Sequence, residues 1–328
     1  MNPATTGMYS KFPDFLKSPK TARLIGAPMS HGQPISGTDR GPQLLRLAGL
    51  ENALKSLDWT VVDDGDLNMM SLEGSPQSPG IPKNLESVAH GNSVLYDAVK
   101  DAVNASEFPV VMGGDHSVAL GSVAAILKAR PETGIIWVDA HADINTPITS
   151  PSGNMHGMPV SFLMKLEGTQ GFDELQWMKD VPTLKPDQIA YVGLRDIDED
   201  ERNVLRQSGI ESIFTMHEVD KYGISRVMEE VLGRLEGRPL HVSYDVDAVD
   251  PMFAPATGTV VRGGLTYREA FYVAESIAET GMLGSVDMVE VNPLLASGEE
   301  ANETVKLGLR LIEALLGGRL YEPQTPLS

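Results

Sequence analysis

The chain has 328 residues, with 26 Lys and Arg against 45 Asp and Glu, a formal net charge of −19 and a pI near 4.7. Such acidity leaves no basic face for phosphates, so nucleic acid and anionic membrane surfaces are excluded as partners, while 41% apolar residues exclude a disordered chain. The absence of cysteine excludes a disulfide framework, thiolate zinc sites and thiol nucleophiles in one step.

The N-terminal stretch Met1–Lys20 has no apolar run long enough for a signal peptide, and no later segment approaches the roughly 18 apolar residues of a membrane helix. A soluble, cytoplasmic protein is expected. Short β-rich runs then alternate with helical patterns. The strands are expected at Ala22–Pro28, Thr60–Asp63, Phe108–Met112, Ile135–Asp139, Ile189–Leu194, Ser212–Thr215, Leu240–Asp245 and Ser285–Glu290. Helices are expected near Gly41–Leu50, Ser93–Val103, Ser117–Ala129, Glu199–Gly209, Ile224–Glu236, Tyr267–Thr280 and Glu303–Leu316. Runs such as Ile135-Ile136-Trp137-Val138 are apolar throughout, the pattern of a strand buried on both faces of a parallel sheet. The expected fold class is therefore α/β: a single doubly wound domain with a mainly parallel sheet of about eight strands. Residues 71–82 read as a surface loop. The folded domain is expected over 19–321, between irregular segments 1–18 and 322–328.

In open α/β sheets, sites gather at the carboxyl ends of strands. Three expected strands end in polar clusters unsuited to a core. They are Gly113-Gly114-Asp115-His116-Ser117, Asp139-Ala140-His141-Ala142-Asp143 and Ser243-Tyr244-Asp245-Val246-Asp247. Asp139, His141 and Asp143 are each two apart, so an extended backbone would point all three one way; Asp245 and Asp247 repeat the spacing. Like carboxylates brought within a few Å raise each other's pKa, and a bound cation reverses that cost. One Asp-x-His pair alone is a solvated turn; three clusters at strand ends of one sheet are a metal site. Four carboxylates and two imidazoles exceed the usual ligand set of one catalytic ion. Two ions sharing bridging aspartates fit better, with Mn²⁺ suited to the donors and Zn²⁺, Co²⁺ or Fe²⁺ open. Such a pair lowers the pKa of a shared water and makes hydroxide available near neutrality.

These three clusters resemble the signatures of the ureohydrolase superfamily, which includes arginase, agmatinase and formiminoglutamase. The resemblance runs from Ile25-Gly26-Ala27-Pro28 to Glu290-Val291-Asn292-Pro293. It implies a three-layer α/β/α fold and two Mn²⁺ per subunit. One ion would be held by His116, Asp139, Asp143 and Asp245, the other by Asp139, His141, Asp245 and Asp247. It further implies a bridging hydroxide that attacks the guanidinium carbon of L-arginine, giving L-ornithine and urea.

Asp143-Ile144-Asn145-Thr146-Pro147, continuing to Ser152-Gly153-Asn154-Met155-His156-Gly157, is similar to the arginase loop that holds the substrate α-carboxylate. Asn145, Ser152 and Asn154 join the implied substrate-binding set, which agmatine, lacking that carboxylate, would not engage. Asp198 and Glu201 align with the pair that recognises the α-ammonium, Thr259 with a threonine near the guanidinium, and Glu290 with the carboxylate that pairs with it. Asp143, His156 and Glu290 are the implied catalytic residues, His156 as a proton shuttle. Asp196 is expected to support the fold. Taken alone, Asp198-Glu199-Asp200-Glu201 is an acidic first helical turn, and Ser152-Gly153-Asn154 an ordinary turn. Thr266 and Glu269 read as a capping box. An agmatinase or other guanidino hydrolase is the nearest alternative; a silent metal-stabilised assembly protein is the non-enzyme one. Assembly into a homotrimer or homohexamer is implied by the resemblance, with the short segment after Leu316 leaving the contact between subunits open.

Overall fold

The computed structural model describes residues 20–72 and 80–319. The expected irregular segments 1–18 and 322–328 lie outside the described residues, as do most of residues 71–82. Eight strands form one sheet: β1 Thr21–Ala27, β2 Thr60–Asp66, β3 Phe108–Gly113, β4 Gly134–Val138, β5 Ile189–Leu194, β6 Ile213–Thr215, β7 Leu240–Asp245 and β8 Leu283–Val289. Their spatial order is β2-β1-β3-β8-β7-β4-β5-β6, and every pairing is parallel. All eight coincide with expected strands.

The helices are α1 Gly41–Leu47, α2 Leu50–Ser56, α3 Leu85–Asn104, α4 Ala119–Ala129, α5 Pro159–Leu163, α6 Glu199–Ser208, α7 Met216–Tyr222, α8 Ile224–Arg234, α9 Tyr267–Glu279 and α10 Gly298–Leu315. They cover both faces of the sheet. One apolar layer joins Val110, Ile136, Val242 and Met288 to Leu45, Val231, Ile277 and Ile312. The other joins Ile25, Val111, Ile135 and Tyr191 to Leu95, Val123 and Phe162. This is the α/β/α sandwich that parallel strands require, because crossover helices must cover both faces.

Several helix boundaries differ from expectation for identifiable reasons. The α3 helix begins at Leu85, eight residues before Ser93, because Gly91 and Asn92 are packing residues rather than a turn. A Cβ on Gly91 would lie 2.4 Å from Met29 Cε, and Asn92 Oδ1 accepts from the Gly121 N–H of α4 at 2.7 Å. The expected helix Gly41–Leu50 is broken into α1 and α2 at Gly49, whose φ of 100° is left-handed. The α10 helix starts at Gly298 through a capping box of Ser297 and Glu300. Thr266 and Glu269 cap α9 in the expected way.

The strands that carry candidate residues at their carboxyl ends, β3, β8, β7, β4 and β5, are consecutive in the sheet. Side chains distant in sequence therefore meet along one edge. The β3 end is held close by Gly114: a Cβ there would fall 1.9 Å from the Met29 carbonyl oxygen. Replacing Gly114 by Ala must displace backbone. We expect a loss of about 3 kcal/mol or more in urea unfolding, a larger cost than an ordinary overpacked side chain.

Candidate active site

The metal-type residues converge. His116 opens a short 3₁₀ turn after β3, and its buried Nδ1 lies 3.0 Å from Asp139 Oδ2, 3.1 Å from Asp143 Oδ2 and 3.2 Å from Asp245 Oδ2. His141 Nδ1 lies 3.3 Å from Asp139 Oδ1 and 3.1 Å from Asp247 Oδ2. Two ligand-type groupings result, His116/Asp139/Asp143 and Asp139/His141/Asp247, with Asp139 common to both.

The expected route to this convergence needs correction. The backbone after β4 and β7 does not stay extended. Asp143 sits at φ 51°, in the left-handed region, and Asp247 lies in the 3₁₀ turn Val246–Ala248. Carboxylates cap their own turns: Asp139 Oδ1 accepts from His141 N at 2.7 Å, and Asp245 Oδ1 from Asp247 N at 2.7 Å. Tight turns, not strand alternation, aim the ligands.

Electrostatics show the stress of this packing. Burial, then the Asp247 and Asp139 charges, push Asp245 well above the usual carboxylate range. Burial and Asp139 push Asp143 up to about 6. Burial and the Asp139 charge also raise Asp247. Asp139 goes the other way: burial opposes its charge, but the two imidazoles hold its pKa down. Burial disfavours protonated His116 and His141, yet the surrounding carboxylates raise both.

A cleft of about 200 Å³ opens beside this cluster. Its walls include His141, Asp143 and Asp245 on the ligand side, and Asn145, Ser152, His156, Asp196, Asp198, Glu201 and Thr259 around them. Asn154 is not on the wall; it precedes the turn Met155–Gly157. Glu290 lies behind it, fully buried at φ 63°, with Oε1 3.6 Å from His156 Nδ1 and accepting from His116 N at 2.9 Å. Among the described residues, the partners of the Glu290 carboxylate are Gln33, His116 and His156, and no arginine. Thr259 Oγ1 donates to Asp247 Oδ2 at 2.9 Å.

Asp198 answers both readings of the acidic stretch. Its Oδ1 caps α6 by accepting from Glu201 N at 2.8 Å, and its Oδ2 accepts from Asn145 Nδ2 at 2.8 Å. Glu201 reaches back to accept from Ile144 N, and burial with the Asp143 charge pushes it up to about 8. His156 is disfavoured as a cation by burial, but the Glu290 carboxylate lifts it to about 8.

Comparison with known proteins fixes the lineage. The model of the "Arginase family" matches residues 20–317. The chain belongs to the arginase family. It is 44% identical to an arginase of Glaciozyma antarctica over 98% of this chain and 92% of that one. It is 45% identical to arginase-1 of Mus musculus over 91% of this chain and 93% of the relative. The solved arginase of Bacillus caldovelox superposes with a TM-score of 0.85 at 40% identity, covering 92% of this chain and 99% of that one. The family assignment makes the chain a hydrolase of the arginase type.

The donor set fits a pair of divalent cations in this arginase-family fold. His116 Nε2 lies 2.8 Å from Ser243 Oγ, whereas buried Nδ1 has no hydrogen-bond partner and faces three carboxylate oxygens. A neutral ring donating through Nε2 aims its Nδ1 lone pair at negative charge, an arrangement relieved by a proton on Nδ1 or by a bound cation, and the second leaves both histidines free to act as ligands. Ser243 and Trp137 belong to none of the expected ligand or substrate sets. Trp137 stacks on His116 with ring centroids 4.2 Å apart, and its Nε1 donates to Asp139 Oδ2 at 2.9 Å. Both sit two residues before a ligand aspartate on the same strand face, a period-2 signal that would have found them. Arg195 was also missed. Its guanidinium donates to the carbonyls of Asp247, Ala248 and Val261, tying the Asp247 turn to the loop that carries Thr259.

Two outcomes follow. Adding Mn²⁺ to chelator-treated protein at about 100 times its Kd is expected to raise the calorimetric Tm by about 5 °C. In metal-free protein, His156 is expected to titrate at about 8 by NMR, and Glu290→Gln to lower that value, because burial persists while the main raising partner is lost. Since this pKa is raised, its stabilising contribution is complete below about 6.5 and is lost as pH rises through about 8.

Proposed function

We propose that this chain hydrolyses L-arginine to L-ornithine and urea, with His116, Asp139, His141, Asp143, Asp245 and Asp247 holding two Mn²⁺ ions. The observation that carries the reading is the cleft itself, which sets the ligand cluster beside Asn145, Ser152, Asp198 and Glu201. When bound, the ion pair would supply a hydroxide nucleophile near neutral pH and positive charge to balance the aspartates.

The chain's own residues do the positioning. A guanidinium is resonance-stabilised and a poor electrophile, so it must be held in line with its attacker. Glu290, ionised and buried, takes the guanidinium through charge-assisted hydrogen bonds. Asn145 keeps one amide N–H after serving Asp198, and with Ser152 it binds the α-carboxylate. Asp198 and Glu201 take the α-ammonium. Burial and the Asp143 charge raise Glu201 to about 8, and an arriving cation pulls it back towards ionisation. Asp143 moves a proton to the leaving amine, and His156, on the cleft wall, exchanges protons with solvent. Asn154 steadies the carboxylate loop through its backbone N–H, which donates to Ser152 Oγ at 3.2 Å.

Agmatine lacks the α-carboxylate and would leave the Asn145–Ser152 side of the cleft without a partner, so arginine is favoured over agmatine. The same reading includes a homotrimer or homohexamer in the cytoplasm; sedimentation of the metal-loaded protein checks the assembly. No helix of the described residues is long and apolar enough to cross a membrane.

The direct test is urea release by Mn²⁺-loaded protein supplied with arginine or agmatine; release from neither sinks the reading. His156→Asn is expected to lower kcat about 100-fold with two ions still bound, the usual scale of a lost general acid–base group. Asp198→Ala is expected to raise the KM for arginine by at least about tenfold.

A further inference from the structure

Glu290 is the group that must meet the guanidinium, and its own orientation depends on a residue outside every signature. Gln33 lies on the loop after β1 and is 5% exposed. Its Nε2 donates to Glu290 Oε2 at 2.7 Å, while the His116 N–H fixes Oε1 at 2.9 Å. The carboxylate plane is thus held at both oxygens by two separate loops. An ionised carboxylate only accepts, so the amide NH₂ must face Glu290. That orientation leaves Gln33 Oε1 buried with no hydrogen-bond partner.

An unpartnered buried carbonyl is unfavourable, and methionine would fill nearly the same volume without it. The amide therefore does more than fill space. Gly258 makes room for it: a Cβ there would lie 2.9 Å from Gln33 Oε1 and 3.7 Å from Glu290 Oε2. The loop itself is anchored to the site, since Gly32 N donates to Asp115 Oδ2 at 2.8 Å and Gly32 O accepts from His156 N at 3.1 Å.

We propose that Gln33 is the positioning residue for Glu290 and thereby for the substrate guanidinium, resting on the arginine-hydrolysis reading above. The chemistry favours a neutral donor here. Lysine or arginine would orient Glu290 but neutralise it and compete with the substrate cation. Glutamate would repel it. An amide holds the carboxylate plane and leaves its charge for the guanidinium.

The test compares metal-loaded wild type with Gln33→Met. The KM for L-arginine is expected to rise about 10- to 100-fold, the scale of a lost hydrogen bond to a charged group, with kcat changed less than about threefold. The inhibition constant of L-ornithine, which has no guanidinium, is expected to stay within about twofold, and metal content to stay at two ions. Should the methionine variant fail to fold, Gln33→Asn keeps the amide but shortens its reach, and the same split between arginine and ornithine is expected. An unchanged KM, or a KM and an ornithine constant that rise together, overturns the assignment of Gln33 while leaving arginine hydrolysis intact. A wild-type protein that releases no urea overturns both.

Discussion

Four buried carboxylates around two imidazoles set the terms for everything else in this molecule. Asp139, Asp143, Asp245 and Asp247 are each at most 6% exposed, and they meet within hydrogen-bond range of His116 and His141. In water such groups would separate. Here the fold holds them together, and the penalty appears as displaced pKa values of both signs. Protonated imidazoles supply positive charge when nothing else does, which is why both histidines are pushed towards the cation. Divalent ions answer the same demand with more charge in less space. The site is therefore built to be incomplete by itself.

Holding the cluster requires a rigid frame, and the sheet provides it. Strands β3, β8, β7, β4 and β5 lie side by side, with apolar residues packed against helices on both faces. The repulsion is confined to their carboxyl edge, where backbone turns take the strain. Asp143 and Glu290 both adopt left-handed backbone angles that bulky L-residues seldom occupy. Two such residues, one on the wall of the cleft and one buried behind it, are strain retained where it sets geometry.

The strands and the Asp and His residues that converge at their ends were legible in the sequence because both are written in short-range code. Continuous apolar runs mark buried parallel strands, and Asp and His at their ends are too polar for the core beside them. The mode of convergence was not legible. Spacing of two implied extended backbone, whereas the turns that actually aim Asp143 and Asp247 depend on capping bonds that only a folded chain makes. Gly91 and Asn92 obscured the start of α3 for a related reason: read locally they are a turn, but they pack against Met29 and α4. The groups that hold the ligands were equally hidden. Ser243 and Trp137 could be inferred from period-2 spacing once the aspartates were known. Gln33 could not, since its partner is 257 residues away.

Asp198 shows why a bland reading and a functional one need not compete. A carboxylate at a helix N-terminus is stabilised by the helix it caps, so it is fixed in place without a dedicated support. Asp198 uses one oxygen for that cap and presents the other to Asn145 at the cleft. Asp245 and Asp139 do the same with the turns that follow them. Each chemical group is thus held by the backbone bond it already makes, and little further machinery is needed to keep it aimed. The net charge of −19 then separates into two parts with different origins. Most of the acids lie away from the cluster and have no part in it. The few at the strand ends converge on one another because the turns they cap leave them nowhere else to point.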